Sequence, residues 1–401
     1  MKSEWHKVPL RELVGYISKG IAPIYSEKST GTTISVLNQK CNRNFQISYA
    51  EARLHNMTQK KVPDERLIRE DDILINSTGT GTAGRVAQIR SVPCRTTVDG
   101  HMIILRANEK VMQRYLGYAI KAHQSEILQL DEGSTGQTEL NRERLLDEIM
   151  ICYPESIIVQ EKIVTIFECI DQKIVVNKKI NDNLEEQAVT YFQELYINNA
   201  NPMWQIGTIS DLGTVVGGST PSKTKPEYYT NNGIAWITPK DLSINKSKFI
   251  SHGENDITEL GLKNSSATVM PKGTVLFSSR APIGYIAIAS NEVTTNQGFK
   301  SVVPYLEIGT AFVYFFLKHS LPVIESAASG STFKEISGSA MKNIPAIIPD
   351  RSTLDQFNSF CAPIFAQQKI LEDQNYSLAM LRDSLLPKLM SGAIDIASIQ
   401  L

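Results

Sequence analysis

A stretch without proline or glycine occupies the middle of the chain, from about residue 160 to residue 195. Its apolar residues recur at heptad spacing, beginning with Ile163, Ile166 and Ile170. A continuous helix of this length is longer than an ordinary globular helix and would extend roughly 50 Å. A single apolar stripe on such a helix needs a partner surface. The stretch therefore predicts one half of a long helix pair.

A second heptad stripe, near the C-terminus, supplies the partner. Both stripes contain polar seam positions, including Asn177 and Gln374, which are typical of a coiled coil that fixes its register. The alternative is that each helix packs only on its own globular domain. The predicted apolar seam consists of Ile163, Ile166, Ile170, Ile180, Leu184, Tyr191, Phe357, Phe360, Ile364, Leu371, Leu378, Leu381 and Leu385.

The chain also contains an internal repeat, in which equivalent residues keep the same order at offsets of 194 to 202 positions. Among the pairs are Trp5 with Trp204, Tyr115 with Tyr314, and Pro154 with Pro349. Each copy joins a mixed globular segment to one long helix. The sequence thus predicts an α+β protein in which two long antiparallel coiled-coil helices separate two similar mixed α/β domains. Pseudo-twofold symmetry would follow from the duplication.

Helix-ending residues and short apolar strands give the expected boundaries. Residues 1–153 form the first predicted domain, 154–198 the central spacer helix, 199–349 the second domain and 350–401 the C-terminal spacer helix. Asparagines and a proline in residues 198–202 predict the hinge between the copies. Pro387 is expected to end the second helix and Gly392 to cap it.

Composition narrows the possible functions. The 401 residues carry 41 basic and 42 acidic side chains, so bulk charge does not favour coating nucleic acid, although local basic patches remain possible. Five scattered cysteines without a CxxC pair indicate reduced thiols and no zinc or other metal site. The polar N-terminus and the short apolar runs predict a cytoplasmic protein without a membrane span.

Several local motifs stand out in the second half of the chain. They are Gly217-Gly-Ser-Thr-Pro-Ser222, Pro226-Glu-Tyr228, the run from Gly233 to Leu242, and Gly330-Ser-Thr332 followed by Asn343-Ile-Pro345. With the repeated order of domain and helix, they resemble the specificity (S) subunit of type I restriction–modification enzymes over the full chain. The first half lacks the Gly-Gly-Ser-Thr-Pro-Ser run after Ser18.

The resemblance implies a non-catalytic DNA-recognition subunit of a methyltransferase and endonuclease complex. Each target-recognition domain would contact one half of a bipartite site in double-stranded DNA. The two helices would set the spacer between the half-sites and dock two methylation (M) subunits, which carry S-adenosylmethionine. Restriction (R) subunits, with ATP and Mg, would complete the complex, and this chain itself would hold no cofactor.

Candidate DNA contacts are basic and polar side chains in the loops, because Lys and Arg bind phosphates or guanine edges and Ser, Thr, Asn and Gln bind either. Each could equally be a solvated loop side chain. The first half contributes Lys19, Asn38, Thr78, Thr80, Arg85, Ser134, Thr135, Gln137 and Asn141. The second half contributes Thr220, Ser222, Lys223, Lys225, Lys240, Asp241, Arg280, Ser331, Thr332 and Lys334.

Catalytic motifs are weak in this sequence. Gly79-x-Gly81-x-x-Gly84 matches a dinucleotide fingerprint, but Pro93 leaves too little chain for the required helix. The same loop lacks the Lys and Ser/Thr of a P-loop. We therefore expect no catalysis by this chain. Two alternatives remain: a two-headed coiled-coil adaptor that binds proteins rather than DNA, and an enzyme whose site is assembled from both halves.

Overall fold

The structure, a computed structural model, describes residues 4–132, 138–280, 282–330 and 334–396. Its contacts divide the chain into a first unit, residues 1–172 with 378–401, and a second unit, residues 173–377. The chain forms two long helices, the central helix Ile157–Phe192 and the C-terminal helix Arg351–Met390. Each unit contains a globular head and a portion of both helices. We call residues 4–154 the first head and residues 199–350 the second head.

Short strands in the first head form two four-stranded sheets. The main sheet has the antiparallel order Val14–Lys19, Met102–Ala107, Ile73–Asn76, Val86–Gln88. The other sheet has the order Thr96–Val98, Thr33–Leu37, Arg53–Asn56, Tyr25–Ser26. Two-stranded ladders join Trp5–Pro9 to Met150–Pro154, Asn42–Arg43 to Gln46–Ile47, and Asp131–Glu132 to Glu139–Leu140. The helices are Gln113–Ala122, Gln124–Ile127 and Arg142–Glu148, with 3-10 turns at Leu10–Leu13, Gln39–Cys41 and Asp64–Arg66.

The second head has a five-stranded main sheet and a four-stranded sheet. The main sheet has the order Gly213–Gly217, Lys300–Pro304, Val275–Ser279, Ile283–Ala289, Phe249–Ile250. The other has the order Thr294–Thr295, Ile234–Ile237, Asn255–Ile257, Tyr229–Thr230, and Gln205–Thr208 pairs with Pro345–Ile348. The α-helices are Ile209–Leu212, Pro239–Ile244, Glu259–Lys263, Thr310–His319, Leu321–Ala327 and Gly338–Lys342, with a 3-10 turn at Pro226–Tyr228 and a π-helix at Gln193–Asn198.

The two heads share one strand order, apart from the additional edge strand Phe249–Ile250 of the second main sheet, and this confirms the predicted internal repeat. In each, the second sheet begins with a parallel pair and continues antiparallel. The parallel pair is Thr96–Val98 beside Thr33–Leu37 in the first head and Thr294–Thr295 beside Ile234–Ile237 in the second. Parallel strands need a long crossover connection, so their recurrence at equivalent places marks a shared topology rather than a chance likeness. The predicted α+β class, two similar mixed domains with two long helices, is confirmed.

The core of the first unit continues from the head onto both helices. Tyr118 of the head and Phe167 of the central helix pack with ring centroids 5.0 Å apart. Leu386 and Leu389 of the C-terminal helix belong to the same buried cluster. Asp171 accepts a hydrogen bond from the Tyr118 hydroxyl at 2.9 Å, so a polar contact accompanies the apolar one.

The end of the C-terminal helix differs from the prediction. The helix passes through Pro387 and ends at Met390. A proline inside a helix loses one hydrogen bond and crowds the carbonyl four residues earlier, but the buried Leu386 and Leu389 hold the last turn on the core. Gly392 follows with φ of 72°, the left-handed conformation predicted for a cap. A Cβ there would stand 2.8 Å from the Trp5 ring, so only glycine fits this contact.

In the second unit the two helices run antiparallel. Asn177 donates to Asn375 at 3.0 Å, and further along the central helix the ring of Tyr191 stacks on Phe357 at 6.1 Å. Residue numbers thus rise on one helix as they fall on the other. The buried Asn177 makes its hydrogen bond across the seam, as expected for a polar residue that fixes register.

Every second position of the seam lies one residue further along the chain than predicted. The buried residues at the heptad spacing are Gln160, Ile163, Phe167, Ile170, Ile174, Asn177 and Ala188 of the central helix and Leu354, Phe357, Cys361, Ile364, Gln368, Leu371 and Leu389 of the C-terminal helix. Leu184, Tyr191, Leu378 and Leu385 are half-buried at the same spacing. Val159, Val164, Phe192, Leu386 and Met390 are also buried, beside this stripe. A heptad stripe alternates steps of three and four residues. From Ile163 the prediction takes the step of three first, to Ile166, whereas the structure takes the step of four first, to Phe167.

Three of the predicted seam residues are corrected by this shift. Ile180 and Leu381 are 41% and 47% exposed, and Ile166 packs on the flank of the first core rather than at its centre. Their apolar side chains favoured the wrong phase of the stripe. Next to Ile180, the structure places the polar Asn181 at the seam position. Phe360 is 39% exposed but still packs on Tyr191 of the central helix, with ring centroids 4.3 Å apart, as predicted.

Candidate nucleic-acid interface

Loops at one end of the main sheet bring polar side chains together in the first head. Thr78, just after the strand Ile73–Asn76, has its hydroxyl 2.7 Å from Nδ1 of His101 and 3.4 Å from Oε1 of Gln39. The backbone of Thr78 forms a bridge to Glu139, whose carboxylate pairs with the Lys19 amino group. We call Lys19, Gln39, Thr78, His101 and Glu139 the first polar cluster.

The loop after Thr78 takes a shape that needs glycine. Its left-handed residues, with φ of 117°, 69° and 81°, are Gly79, Gly81 and Gly84. The predicted contact Thr80 lies exposed in this loop, and Arg85 donates to a carbonyl within it at 3.1 Å. The strand Val86–Gln88 follows, so the loop does not open the helix that a dinucleotide fingerprint requires.

The second head has a corresponding group with different side chains. Glu335 lies 3.4 Å from the Arg280 guanidinium and 3.6 Å from the Lys300 amino group. The Thr220 hydroxyl donates to the side-chain oxygen of Gln297. We call Thr220, Arg280, Gln297, Lys300 and Glu335 the second polar cluster. Ion pairs and hydroxyl groups at loop ends are suited to binding phosphates and base edges.

In each head a glycine at the equivalent position lies very close to the backbone beside the polar cluster. A Cβ at Gly20 would lie 2.2 Å from the carbonyl oxygens of Val98 and Asp99. A Cβ at Gly218 would lie 1.9 Å from the carbonyl oxygen of Asn296. Both distances are far shorter than any real atomic contact, so a residue with a Cβ does not fit at these two positions. Glycine there lets the loop lie directly against the sheet in each head.

Gly20→Ala is therefore expected to destabilise the protein by about 1–3 kcal/mol, the usual cost of overpacking a tight site. Chemical denaturation followed by circular dichroism measures the change. The matched control is Gly31→Ala, because a Cβ at Gly31 meets nothing within 4 Å and should cost no more than about 0.5 kcal/mol. Equal effects of the two substitutions would contradict the close approach.

Three predicted DNA contacts form capping hydrogen bonds within the protein. Asn38 and Asn141 accept from backbone N–H groups two and three residues further along, at 2.9 and 3.1 Å, and so cap short helical turns. Asp241 is 8% exposed and caps its own helix through Thr238. These side chains hold the loops through contacts within the protein, and their assignment as DNA contacts stays a prediction.

The other predicted contacts lie on the surface of the second head or outside the described residues. Ser222 bonds Thr224 at 2.8 Å, Lys225 pairs with Glu227 at 3.9 Å and Lys240 pairs with Glu254 at 2.6 Å. Lys223 and Lys334 are exposed and have no ion pair in the described part of the chain. Outside the described residues are Ser134, Thr135, Gln137, Ser331 and Thr332.

Sequence reasoning missed six members of the two clusters. They are Gln39, His101, Glu139, Gln297, Lys300 and Glu335. One signal was available, because Glu139 and Glu335 follow the two Gly-Ser-Thr motifs at nearly equal distances and so occupy equivalent places in the repeat. The other four come to the clusters through strand pairing that the sequence does not reveal.

Among residues 4–132, 138–280, 282–330 and 334–396, every helix is too short or too polar to span a lipid bilayer. No group of three or more His, Cys, Asp or Glu side chains in those ranges is placed to hold a metal ion.

Two similar α/β heads, each with its own polar cluster and each packed on long helices, define a duplicated recognition protein. The family model for the type I restriction modification DNA specificity domain matches twice, over residues 2–186 and 201–373. The chain therefore belongs to the type I restriction modification DNA specificity domain family, as the sequence motifs predicted.

Individual relatives agree with this assignment. The type I restriction enzyme MjaIX specificity subunit of Methanocaldococcus jannaschii is 43% identical over 162 residues, 40% of this chain and 37% of the relative. The HindI specificity subunit of Haemophilus influenzae is 28% identical over 194 residues, 48% of this chain and 42% of the relative. The alignments thus span less than half the length of these relatives.

A solved structure shares the fold over nearly the whole chain. The crystal structure of a type I restriction–modification system S subunit from M. genitalium matches with a TM-score of 0.57. The match covers 97% of this chain and 96% of that one at 15% sequence identity. At this identity the likeness concerns the fold alone.

Proposed function

We propose that this chain is the DNA sequence-specificity subunit of a type I restriction–modification complex, with each head recognising one half of a bipartite site. The observation that carries the proposal is one repeated frame with two different sets of side chains. Where the first head has Asp99 and His101, the second has Asn296 and Gly298, as the matching backbone hydrogen bonds of the two heads show. Different side chains on a common frame suit two different DNA half-sites.

The long helices would perform the second part of the proposed function. They would set the spacer between the half-sites and dock two M subunits. The apolar side chains that remain exposed on both helices, among them Ile180, Ile370 and Tyr376, support a protein-binding role. Catalysis would belong to the partners, with S-adenosylmethionine in M and ATP and Mg in R. The complex would act in the cytoplasm.

The purified chain is expected to transfer no methyl group to DNA, whereas its complex with the M subunit does. The experiment follows labelled methyl groups from S-adenosylmethionine onto duplex DNA and then maps the modified bases. A methylated motif split by unspecified base pairs is the expected result. Methylation by the chain alone would instead favour an enzyme assembled from both halves.

Binding to DNA separates the proposed function from a protein adaptor. Phosphate contacts release counterions, so affinity for duplex DNA should fall steeply as salt increases. A protein adaptor would still assemble with M, but neither the free chain nor its complex with M would show this salt-dependent binding to DNA.

A further inference from the structure

One carboxylate occupies the same place in both heads. Glu139 forms an antiparallel bridge with Thr78, and Glu335 forms the equivalent bridge with Arg280. The residue after each glutamate donates its N–H to a serine carbonyl, Leu140 to Ser77 at 2.7 Å and Ile336 to Ser279 at 3.1 Å. The backbone therefore places both side chains at the same position relative to the main sheet.

The cations facing these carboxylates come from different positions. In the first head Glu139 pairs with Lys19, at the end of the strand Val14–Lys19. In the second head Glu335 pairs with Arg280 and Lys300, which belong to other places in the frame. The duplication thus keeps the negative charge while the positive charges around it change, which indicates a role for the carboxylate itself.

These pairs are exposed enough to be exchanged. The side chains of Lys19 and Glu139 are 42% and 55% exposed, and those of Arg280 and Glu335 are 36% and 37% exposed. Ion pairs at such positions are weak because water screens them. A DNA phosphate brought to the same place competes readily for the cation.

We propose that Glu139 and Glu335 are positioning residues that hold the DNA-contacting cations of each head until a phosphate displaces them. The inference rests on the proposed DNA-binding function. In free protein the carboxylate neutralises the cation and keeps it at the end of the sheet. On the recognised DNA site the cation transfers to a phosphate and the glutamate is left in water, whereas on DNA of other sequence the cation stays paired with the carboxylate. The device weakens non-specific binding, which depends on free positive charge, and so increases the ratio of specific to non-specific affinity.

The test uses the full chain and a short duplex of random sequence, with affinity measured by fluorescence anisotropy over a range of salt concentrations. Each freed cation that binds one phosphate steepens the slope of log affinity against log salt by about 0.9. Glu139→Gln frees one cation, so its slope should steepen by about 0.9. Glu335→Gln frees Arg280 and, as far as its 16%-exposed side chain reaches a phosphate, Lys300, so the slope should steepen by about 0.9 to 1.8.

Matched controls remove one negative charge elsewhere on the same heads. Glu109 and Glu307 are exposed and form no ion pair within the described ranges, so Glu109→Gln and Glu307→Gln should leave the slope unchanged. Thermal unfolding of all four variants verifies that the fold is retained.

A double variant separates release of the cation from simple repulsion of DNA by the carboxylate. In a Lys19→Gln background no cation is left to release, so adding Glu139→Gln should not steepen the slope further. An equal steepening with and without Lys19 would overturn the proposal and show direct repulsion. Unchanged slopes for Glu139→Gln and Glu335→Gln, with salt-dependent binding by the wild type, would overturn it as well. If the wild type bound no DNA in the presence or absence of M, the proposed function would fail first, and this inference with it.

Discussion

Replacing residues 1–150 with the matching domain of a related specificity subunit is expected to change one half of the methylated motif and leave the other half unchanged. The physical reason is that the first polar cluster is built only from residues of the first head, from Lys19 to Glu139. The second cluster, from Thr220 to Glu335, contains none of them. Sequencing of methylated positions in cells that carry the chimera and its M subunit gives the result.

The chimera also has to keep the contact between the head and the central helix. Tyr118 packs on Phe167 and donates to Asp171, so the donor domain should supply an aromatic hydroxyl at the position of Tyr118. A donor with Phe there is the matched control, since it keeps the ring and loses only the hydrogen bond. A change in both halves of the motif, or in neither, would refute the assignment of one head to one half-site.

Much of the fold could be predicted because two kinds of order recur in the sequence. Heptad spacing identified both long helices, and the pairing of Trp5 with Trp204 is one of several that revealed the duplicated heads. The phase of the seam could not be predicted. Ile166 and Phe167 are both apolar, and only packing against Tyr118 of the head selects Phe167.

The candidate site was predicted less completely, for two physical reasons. Asparagine and aspartate cap helices with the same atoms that could bind DNA, so residue type alone could not predict the capping role of Asn38 or Asp241. Contacts between strands that are far apart in the sequence also could not be predicted. Lys19 and Glu139 pair across the sheet although 120 positions separate them in sequence.

Lys248 is a buried cation that ties the second head to both helices within the second unit. Its side chain is 5% exposed, and its amino group lies 2.6 Å from Oε1 of Gln368 and pairs with Glu185. The same group lies 4.1 Å from the centre of the Phe365 ring. A desolvated cation over an aromatic face is favourable, but the site depends on the paired carboxylate.

The direction of the pKa shifts shows how this pair is balanced. Burial lowers the pKa of Lys248, and the charge of Glu185 acts in the opposite direction. Burial raises the pKa of Glu185, but Lys248 and Lys318 outweigh it and hold that pKa below its ordinary value. With its pKa held below the ordinary value, Glu185 is charged at neutral pH, and removing the lysine leaves a poorly compensated carboxylate in a largely buried site.

Lys248→Met is consequently expected to destabilise the second unit by about 3 kcal/mol, the lower end for breaking a buried pair, because Lys318 still contacts Glu185 at 2.6 Å. For a unit of this size the melting temperature should fall by about 6–12 °C in calorimetry. Lys318→Met is the matched control, since that lysine is 40% exposed and its loss should cost less than about 1 kcal/mol. The double variant Lys248→Met with Glu185→Leu removes both buried charges and should recover most of the loss, because apolar groups can replace a buried ion pair at little cost. A double variant no more stable than Lys248→Met alone would show that the lysine acts through packing on Phe365, and not through its charge.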